Sequence, residues 1–262
     1  MMRLLLTFPS TTLFRPVEIA IALPSGFSTA KPPYRVLWAL HCAMKSGEFF
    51  FDTLDAAEAV EKSQIALVAP SLGNGYFINS SFEAQGDFLQ EILRDLHDIL
   101  PLSSRREDNA VLGVSMGGFG AIRWALESGA FGSAAAISGV FDCALPPDER
   151  MLKNRAQRAL YLTFTKRMHQ MLLSADGLVR PEADLERLLQ QTSAGAFPRI
   201  YLYCGDQDYL SLPHNTTLEA TCARYRCPVT LRLAAGEHEP VYWRNAFQDA
   251  VTDLFGQPDR TA

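Results

Sequence analysis

A serine flanked by glycines follows an apolar run near the middle of this 262-residue chain. Ser115 is the central residue of the run Gly113-Val114-Ser115-Met116-Gly117, a G-x-S-x-G motif. On a sharp strand-to-helix turn, side chains two positions before and after the serine would collide with neighbouring backbone, which favours glycine there. The first N–H groups of the following helix would face an oxyanion formed during acyl transfer. The motif therefore predicts a nucleophilic serine.

A serine nucleophile needs partners, because its hydroxyl group is weakly nucleophilic at neutral pH. A histidine must take the proton, and a carboxylate must hold that histidine in the productive tautomer. Asp206 and Asp208 follow one predicted strand, and His238 follows the last one. Only one aspartate can orient the histidine, and either could instead cap a helix before Leu210. We favour Asp208, so the predicted catalytic residues are Ser115, Asp208 and His238.

The elements that must position these residues are short apolar strands alternating with helices. Strands are predicted over residues 3–8, 17–23, 34–40, 65–69, 109–112, 133–137, 199–204 and 228–233. Helices are predicted over residues 55–61, 82–100, 119–126 and 240–255. This alternation predicts an α/β fold with a mostly parallel sheet and helices on both faces. The first two strands should form an antiparallel pair at one edge. Ligands bind at the carboxyl ends of such parallel strands, where the three predicted catalytic residues lie.

The alternation breaks between residues 142 and 197, which we interpret as a small helical insertion in a single domain spanning residues 1–262. A charged helical stretch there carries an apolar stripe of Leu152, Ala156, Leu160, Phe164, Met168 and Leu172. A shorter helix is predicted over residues 181–191. The insertion could overhang the site as a cap, or its stripe could pack on the core, and the sequence leaves both open.

Composition excludes several classes of partner. The chain is 48% hydrophobic and 20% charged, with a net charge of −5 and no clustered Lys/Arg stripe. Nucleic acids and anionic membranes both require concentrated positive charge, so neither is predicted as a partner. A small-molecule ester substrate fits better, and a homo-oligomer remains open. No run approaches the roughly 18 apolar residues of a membrane span.

The cysteines indicate a reducing compartment. There are five of them, an odd number, and none has the C-x-x-C spacing of a zinc or redox site. We therefore expect neither a disulfide framework nor a metal. The apolar start of the chain is too short for the core of a signal peptide, which favours a first strand and a cytoplasmic location.

Three segments resemble the α/β-hydrolase esterases of the esterase D and tributyrin esterase kind, which include acetyl-esterases and S-formylglutathione hydrolases. They are Gly113 to Ala121, Cys204 to Leu210 with its Gly-x-x-Asp element, and Gly236 to Glu239 followed by Tyr242-Trp243. The resemblance covers nearly the whole chain. It implies an α/β-hydrolase fold, the triad Ser115, Asp208 and His238, and a reaction without metal or cofactor.

One segment departs from that family. The family usually has His-Gly after the strand over residues 34–40, whereas this chain has His41-Cys42-Ala43. That loop supplies the second N–H of the oxyanion hole, for which Cys42 and Ala43 are the candidates, with Met116 as the first donor. Cys42 could itself be read as a nucleophile, but no base is paired with it in the sequence.

The predicted function is hydrolysis of short-chain carboxylic esters through an acyl-serine intermediate. A thioesterase such as S-formylglutathione hydrolase, or an acyltransferase, would use the same triad, and an inactive binding protein of the same fold is a further alternative. Large side chains near the site predict a narrow acyl pocket. The predicted substrate-binding residues are Phe49, Phe50, Phe119, Tyr209 and Trp243.

Overall fold

The structure is a computed structural model that describes residues 1–27, 33–142, 154–193 and 195–256. Cys143 and Leu152, which belong to the cysteines and to the helical stripe considered above, lie outside these ranges. The strands are β1 Met2–Ser10, β2 Arg15–Leu23, β3 Val36–Leu40, β4 Ala66–Pro70, β5 Asn109–Val114, β6 Ser133–Ile137, β7 Arg199–Gly205 and β8 Val229–Ala234.

The strands of the described ranges form one eight-stranded sheet in the order β1-β2-β4-β3-β5-β6-β7-β8. β1 pairs antiparallel with β2, from Met2 opposite Leu23 to Ser10 opposite Arg15, and β2 pairs antiparallel with β4. Every other pair of neighbours is parallel. The predicted mostly parallel sheet with an antiparallel pair at one edge is therefore confirmed.

Helices connect the strands, and two of them were not predicted. The helices are α1 Phe49–Asp52, α2 Ala56–Ser63, α3 Gln85–Ile99, α4 Met116–Ser128, α5 Arg155–Leu172, α6 Leu185–Gln191, α7 Leu212–Arg224 and α8 Pro240–Phe255. The sequence missed α1, which is a single turn, and α7, whose Pro213 and threonines are poor helix formers. Pro213 is tolerated because it lies in the first turn of α7, where N–H groups have no intrahelical partner. None of the helices in the described ranges combines the length and the apolar character needed to cross a bilayer.

The core consists of two layers, one on each face of the sheet. Along β3, Val36, Trp38 and Leu40 face one layer, while Leu37 and Ala39 face the other. All five are fully buried, which explains why β3 is a continuous apolar run. α3 to α7 cover the first face, and α1, α2 and α8 cover the second.

The connection from β5 to α4 is the sharp turn that the motif predicted. Ser115 has φ 53° and ψ −113°, which is unusual for a residue with a side chain. A Cβ atom on Gly113 would lie 1.9 Å from the Gly117 carbonyl oxygen, and one on Gly117 would lie 2.0 Å from the Leu40 carbonyl oxygen. The two glycines therefore allow the backbones of β3, β5 and α4 to approach closely enough to hold the turn.

Gly117→Ala should lower the free energy of unfolding by at least about 1–3 kcal/mol, because its methyl group would be forced against backbone that has no room to move. Gly73→Ala is the matched control, since the nearest atom to a Cβ there lies at 3.8 Å. The free energy of unfolding of both variants is measured by urea unfolding, monitored by circular dichroism. An unchanged midpoint for Gly117→Ala would contradict the close approach described here.

Candidate active site

Three loops at the carboxyl ends of parallel strands bring a serine, a histidine and an aspartate together. Ser115 follows β5, Asp208 follows β7 and His238 follows β8. Ser115 Oγ lies 3.0 Å from His238 Nε2, and His238 Nδ1 lies 2.9 Å from Asp208 Oδ2. An ionised carboxylate only accepts hydrogen bonds, so Nδ1 carries the proton and Nε2 is left to accept the serine hydroxyl proton. The arrangement is that of a serine nucleophile paired with a base.

The Asp208 carboxylate is completely buried but fully hydrogen-bonded. It accepts from the backbone N–H groups of Leu210 at 3.1 Å and Ser211 at 2.9 Å, and from the Ser211 hydroxyl at 2.5 Å. Burial alone would raise its pKa, but His238 and the Ser211 hydrogen bonds outweigh burial and lower the pKa of Asp208 to about 2. The carboxylate is therefore ionised at neutral pH.

Asp206, the other aspartate considered from the sequence, lies elsewhere. Its carboxylate accepts a hydrogen bond from the Gly236 backbone N–H at 3.3 Å, and its own N–H donates to the Ala234 carbonyl. These bonds hold the loop after β7 against the loop after β8. The structure thus brings Asp208, and not Asp206, to His238.

Trp243 lies behind the histidine rather than in a substrate pocket. Its ring meets the His238 ring edge-on, with centroids 5.0 Å apart and an interplanar angle of 87°. Its Nε1–H donates to Ser138 Oγ at 3.1 Å, at the end of β6. Trp243 is 7% exposed. It therefore packs against the imidazole and limits the ring's movement.

Two of the three predicted oxyanion donors share a pocket with Ser115. Met116 is the first residue of α4, so its N–H has no intrahelical acceptor. Met116 and Ala43 both line the pocket into which Ser115 opens, and Cys42 does not. Burial raises the pKa of the Cys42 thiol to about 12, so this thiol is not ionised at neutral pH and would be a poor nucleophile.

His41 holds the loop that carries these donors. Its Nδ1 lies 2.8 Å from the Cys42 carbonyl oxygen, and its Nε2 accepts the Leu72 backbone N–H at 3.0 Å. Because Nε2 accepts, Nδ1 must carry the proton and donate to the carbonyl. Burial lowers the pKa of His41, which keeps the ring neutral in this arrangement. The sequence analysis assigned His41 no such function.

The pocket beside Ser115 is lined in part by the helical insertion. Its lining comprises Ala43, Tyr76, Ser115, Met116, Val140, Tyr161, Phe164, Thr165, Met168, Leu210 and His214. Four of these residues lie on one face of α5, at positions i, i+3, i+4 and i+7. The free volume is about 20 Å³, which is room for about one water molecule. Met168 of α5 lines the pocket and also packs in the core.

The five predicted substrate-binding residues do not line this pocket, and that expectation is corrected. Phe49 and Phe50 pack on the opposite face of the sheet, against Trp243 and Phe247 respectively. Phe119 is fully buried beneath the ring of Tyr76, and Tyr209 is 6% exposed within the core. The sequence placed these side chains near the site but could not tell which face of the sheet they would occupy. The sequence signals for the observed lining were the G-x-S-x-G motif with Met116, the oxyanion candidate Ala43, and the apolar stripe on α5, of which Phe164 and Met168 line the pocket.

Within the described residues, no group of three or more His, Cys, Asp or Glu side chains is arranged as a metal site. Four cysteines in these ranges, Cys42, Cys204, Cys222 and Cys227, are buried free thiols.

Comparisons with known proteins identify the family and the fold of this chain. A family model described as "Putative esterase" matches residues 10–254. An acetyl esterase of Caldicellulosiruptor saccharolyticus is 25% identical over 218 residues, which cover 76% of this chain and 77% of that protein.

Two solved structures show the same fold. The fluorophosphonate-binding serine hydrolase F of Staphylococcus aureus superposes with a TM-score of 0.81 at 24% identity, covering 98% of this chain and 99% of that one. An S-formylglutathione hydrolase of the same organism superposes with a TM-score of 0.78 at 24% identity, covering 97% and 99%. These likenesses confirm the predicted α/β-hydrolase fold, and with the family match over almost the whole chain they support the predicted esterase resemblance. The chain belongs to this esterase family and is a carboxylesterase.

Proposed function

We propose that this carboxylesterase hydrolyses short-chain acyl esters through an acyl-serine intermediate, with Ser115, His238 and Asp208 as its catalytic residues. The observation that carries the proposal is the continuous hydrogen-bonded chain from Ser115 Oγ through His238 to Asp208, with contacts of 3.0 and 2.9 Å. The name of the acetyl esterase relative supports a short acyl group. The narrow pocket beside Ser115 supports it as well.

The first half of the reaction forms the acyl-serine. His238 Nε2 takes the hydroxyl proton as Ser115 Oγ attacks the ester carbonyl carbon, and the carbonyl oxygen becomes an oxyanion. The resulting imidazolium then gives its proton to the leaving alkoxide. In the second half, water replaces the alcohol, and His238 repeats the two proton transfers to release the acid. Asp208 stabilises the imidazolium at each stage without being protonated itself, in keeping with its low pKa of about 2.

We assign the second oxyanion donor to the N–H of Ala43. The Cys42 carbonyl and the Ala43 N–H belong to one planar trans peptide group, so they point in opposite directions. His41 holds that carbonyl by a 2.8 Å hydrogen bond. The Ala43 N–H therefore points away from His41, and Ala43 itself lies in the lining of the Ser115 pocket together with Met116. Two N–H groups converging on one oxygen are what the developing charge requires.

A substrate panel tests the proposal directly. Initial rates would be measured for p-nitrophenyl esters from acetyl to decanoyl and, in parallel, for S-formylglutathione. Turnover of the short esters well above that of the thioester supports the proposal. Faster turnover of S-formylglutathione would favour the thioesterase alternative. We retain that alternative because this chain shares its fold with an S-formylglutathione hydrolase.

Ser115→Ala should fold normally but lower kcat for p-nitrophenyl acetate by several orders of magnitude, leaving only the contribution of binding and the oxyanion hole. Labelling by a fluorophosphonate should be lost. Cys42→Ala is the matched control, because it removes a buried thiol but keeps the backbone N–H, and it should still be labelled. Labelling that survives in Ser115→Ala and disappears in Cys42→Ala would refute the serine mechanism.

Asp208→Asn should lower kcat by about 10⁴, the loss seen when an equivalent carboxylate is replaced in a serine protease, because an amide no longer fixes the productive tautomer of the histidine. Asp206→Asn preserves a side-chain oxygen for Gly236 and serves as the control, with a far smaller loss. The loss in each variant is measured as kcat at a saturating concentration of p-nitrophenyl acetate. Equal losses in the two variants would count against the role of Asp208.

Acetyl to butyryl esters should be preferred, with kcat/KM falling at least about tenfold beyond roughly six acyl carbons, which corresponds to about 1.4 kcal/mol of transition-state binding. Met168→Ala removes most of a pocket-lining side chain and should move this decline to longer acyl groups. Leu162→Ala, on the same helix but 60% exposed, should leave the decline where it is. A wild-type profile that rises through octanoyl and decanoyl esters would overturn the expectation.

A further inference from the structure

His214 is a buried histidine that the mechanism above does not use. It lies in the first turn of α7 and is 2% exposed. Its side chain lines the pocket beside Ser115 and also a second cavity of about 270 Å³ that lies between α7 and the helical insertion. His214 therefore borders both the nucleophile's pocket and the larger cavity.

The protonation of the His214 ring follows from the one hydrogen bond that the ring makes within the described ranges. Nδ1 accepts the backbone N–H of Asp142 at 3.2 Å, so Nδ1 carries no proton. Burial lowers the pKa of His214 to about 4, and the nearby Asp142 and Asp208 carboxylates oppose that effect without reversing it. The ring is neutral at physiological pH, and its single proton is on Nε2.

No acceptor for that Nε2–H lies among the residues that the structure describes. The other buried histidine of this face, His41, has both ring nitrogens hydrogen-bonded, at 2.8 and 3.0 Å. Within the described residues, the enclosed side-chain polar atoms that have no partner are Trp124 Nε1 and Asn215 Oδ1, so His214 Nε2 is not sealed off and its N–H is open to a ligand. An acceptor that arrives with the substrate would complete the set of hydrogen bonds.

The adjoining cavity indicates which kind of acceptor fits. It is partly apolar, through Phe141, Leu172 and Leu218, and its charged lining contains Asp142, Asp184, Glu186 and Arg224. Arg224 is paired with Glu186 at 3.1 Å, so the carboxylates exceed the cations. An anionic group would be repelled there, whereas an uncharged ether or hydroxyl oxygen on a short carbon chain would match both the donor and the apolar walls.

We propose that His214 is a specificity-determining residue whose Nε2–H donates a hydrogen bond to an uncharged oxygen of the substrate beyond the scissile ester, so that alkoxy and hydroxy esters are preferred to plain alkyl esters. This inference rests on the ester hydrolysis proposed above and specifies its substrate class. The cavity beyond His214 receives the part of the substrate that carries this oxygen.

Pairs of isosteric esters test the inference on each half of the substrate. For the alcohol half, 2-methoxyethyl acetate is compared with butyl acetate. For the acyl half, p-nitrophenyl 3-methoxypropanoate is compared with p-nitrophenyl pentanoate. Each pair differs by one ether oxygen in place of a methylene group. The measured quantity is the ratio of kcat/KM for the ether to kcat/KM for the alkyl ester, in wild type and in variants, so that intrinsic reactivity and any general loss of activity cancel.

In His214→Leu, which removes the donor at similar volume, the ratio for at least one pair should fall by about threefold to tenfold, the factor expected of one hydrogen bond between uncharged groups. His214→Gln keeps an N–H donor at a similar reach and should retain most of the ratio. If His214→Leu fails to fold, as judged by circular dichroism, His214→Phe takes its place.

Ratios that stay unchanged in the donor-free variant for both pairs overturn the inference, and so does an equal fall in the glutamine variant, which would assign the effect to packing. Failure of the proposed function looks different. In that case wild-type protein hydrolyses none of the four esters, whereas failure of this inference alone leaves wild-type hydrolysis intact.

Discussion

The close approach of three backbone segments at the serine turn is the constraint on which the site depends. Ser115 is held at a positive φ by the β5-to-α4 connection, and its N–H donates to the Ile137 carbonyl of β6 at 2.8 Å. Only glycine at positions 113 and 117 leaves room for this geometry. The strain is local, and the parallel pairing of β3, β5 and β6 on both sides holds it in place. Because this turn is fixed, the serine hydroxyl can attack a carbonyl group whose oxygen faces the first N–H of α4.

The base and acid are positioned by hydrogen bonds rather than by burial alone. Burying the Asp208 carboxylate would favour its neutral form, but Ser211 and His238 reverse that preference. Ser138 and Trp243 then hold the other side of the imidazole. In the same way, a neutral His41 with a hydrogen bond at each ring nitrogen holds the loop that carries Ala43. The reacting groups are thus few, and a larger set of polar contacts fixes their orientation.

One buried arginine connects the nucleophile helix to the insertion that narrows the pocket. Arg123 of α4 is 2% exposed, and its guanidinium donates to the carbonyl oxygens of Glu182 at 2.7 Å and Phe77 at 3.3 Å while pairing with Glu127 at 2.8 Å. These contacts join the insertion and the loop before α3 to the same rigid helix. The loop that carries Tyr76 and the segment before α6 are therefore both tied to the helix that follows the nucleophile.

The sequence by itself determined the parts of this protein that depend on local or periodic patterns. The continuous apolar runs predicted the buried parallel strands, the glycines around Ser115 predicted the turn, and the positions of Asp208 and His238 after strands placed them at one edge of the sheet. These features are readable because each reflects a steric or burial requirement at a fixed spacing. The bounds of α3 were less accurate, since the helix begins three residues after the predicted Phe82.

Only the tertiary structure decided which side chains surround the nucleophile. Phe49 and Phe50 directly follow the oxyanion loop in sequence, yet they pack on the far face of the sheet, because α1 turns toward α8. Conversely, Thr165 and His214 come from segments far from Ser115 in sequence and still line its pocket. The sequence favoured Asp208 over Asp206 as the partner of His238, but because both follow the same strand, only the three-dimensional arrangement shows their different hydrogen bonds. A pocket is formed by residues that are close in space and distant in sequence, and no local pattern along the sequence encodes that proximity.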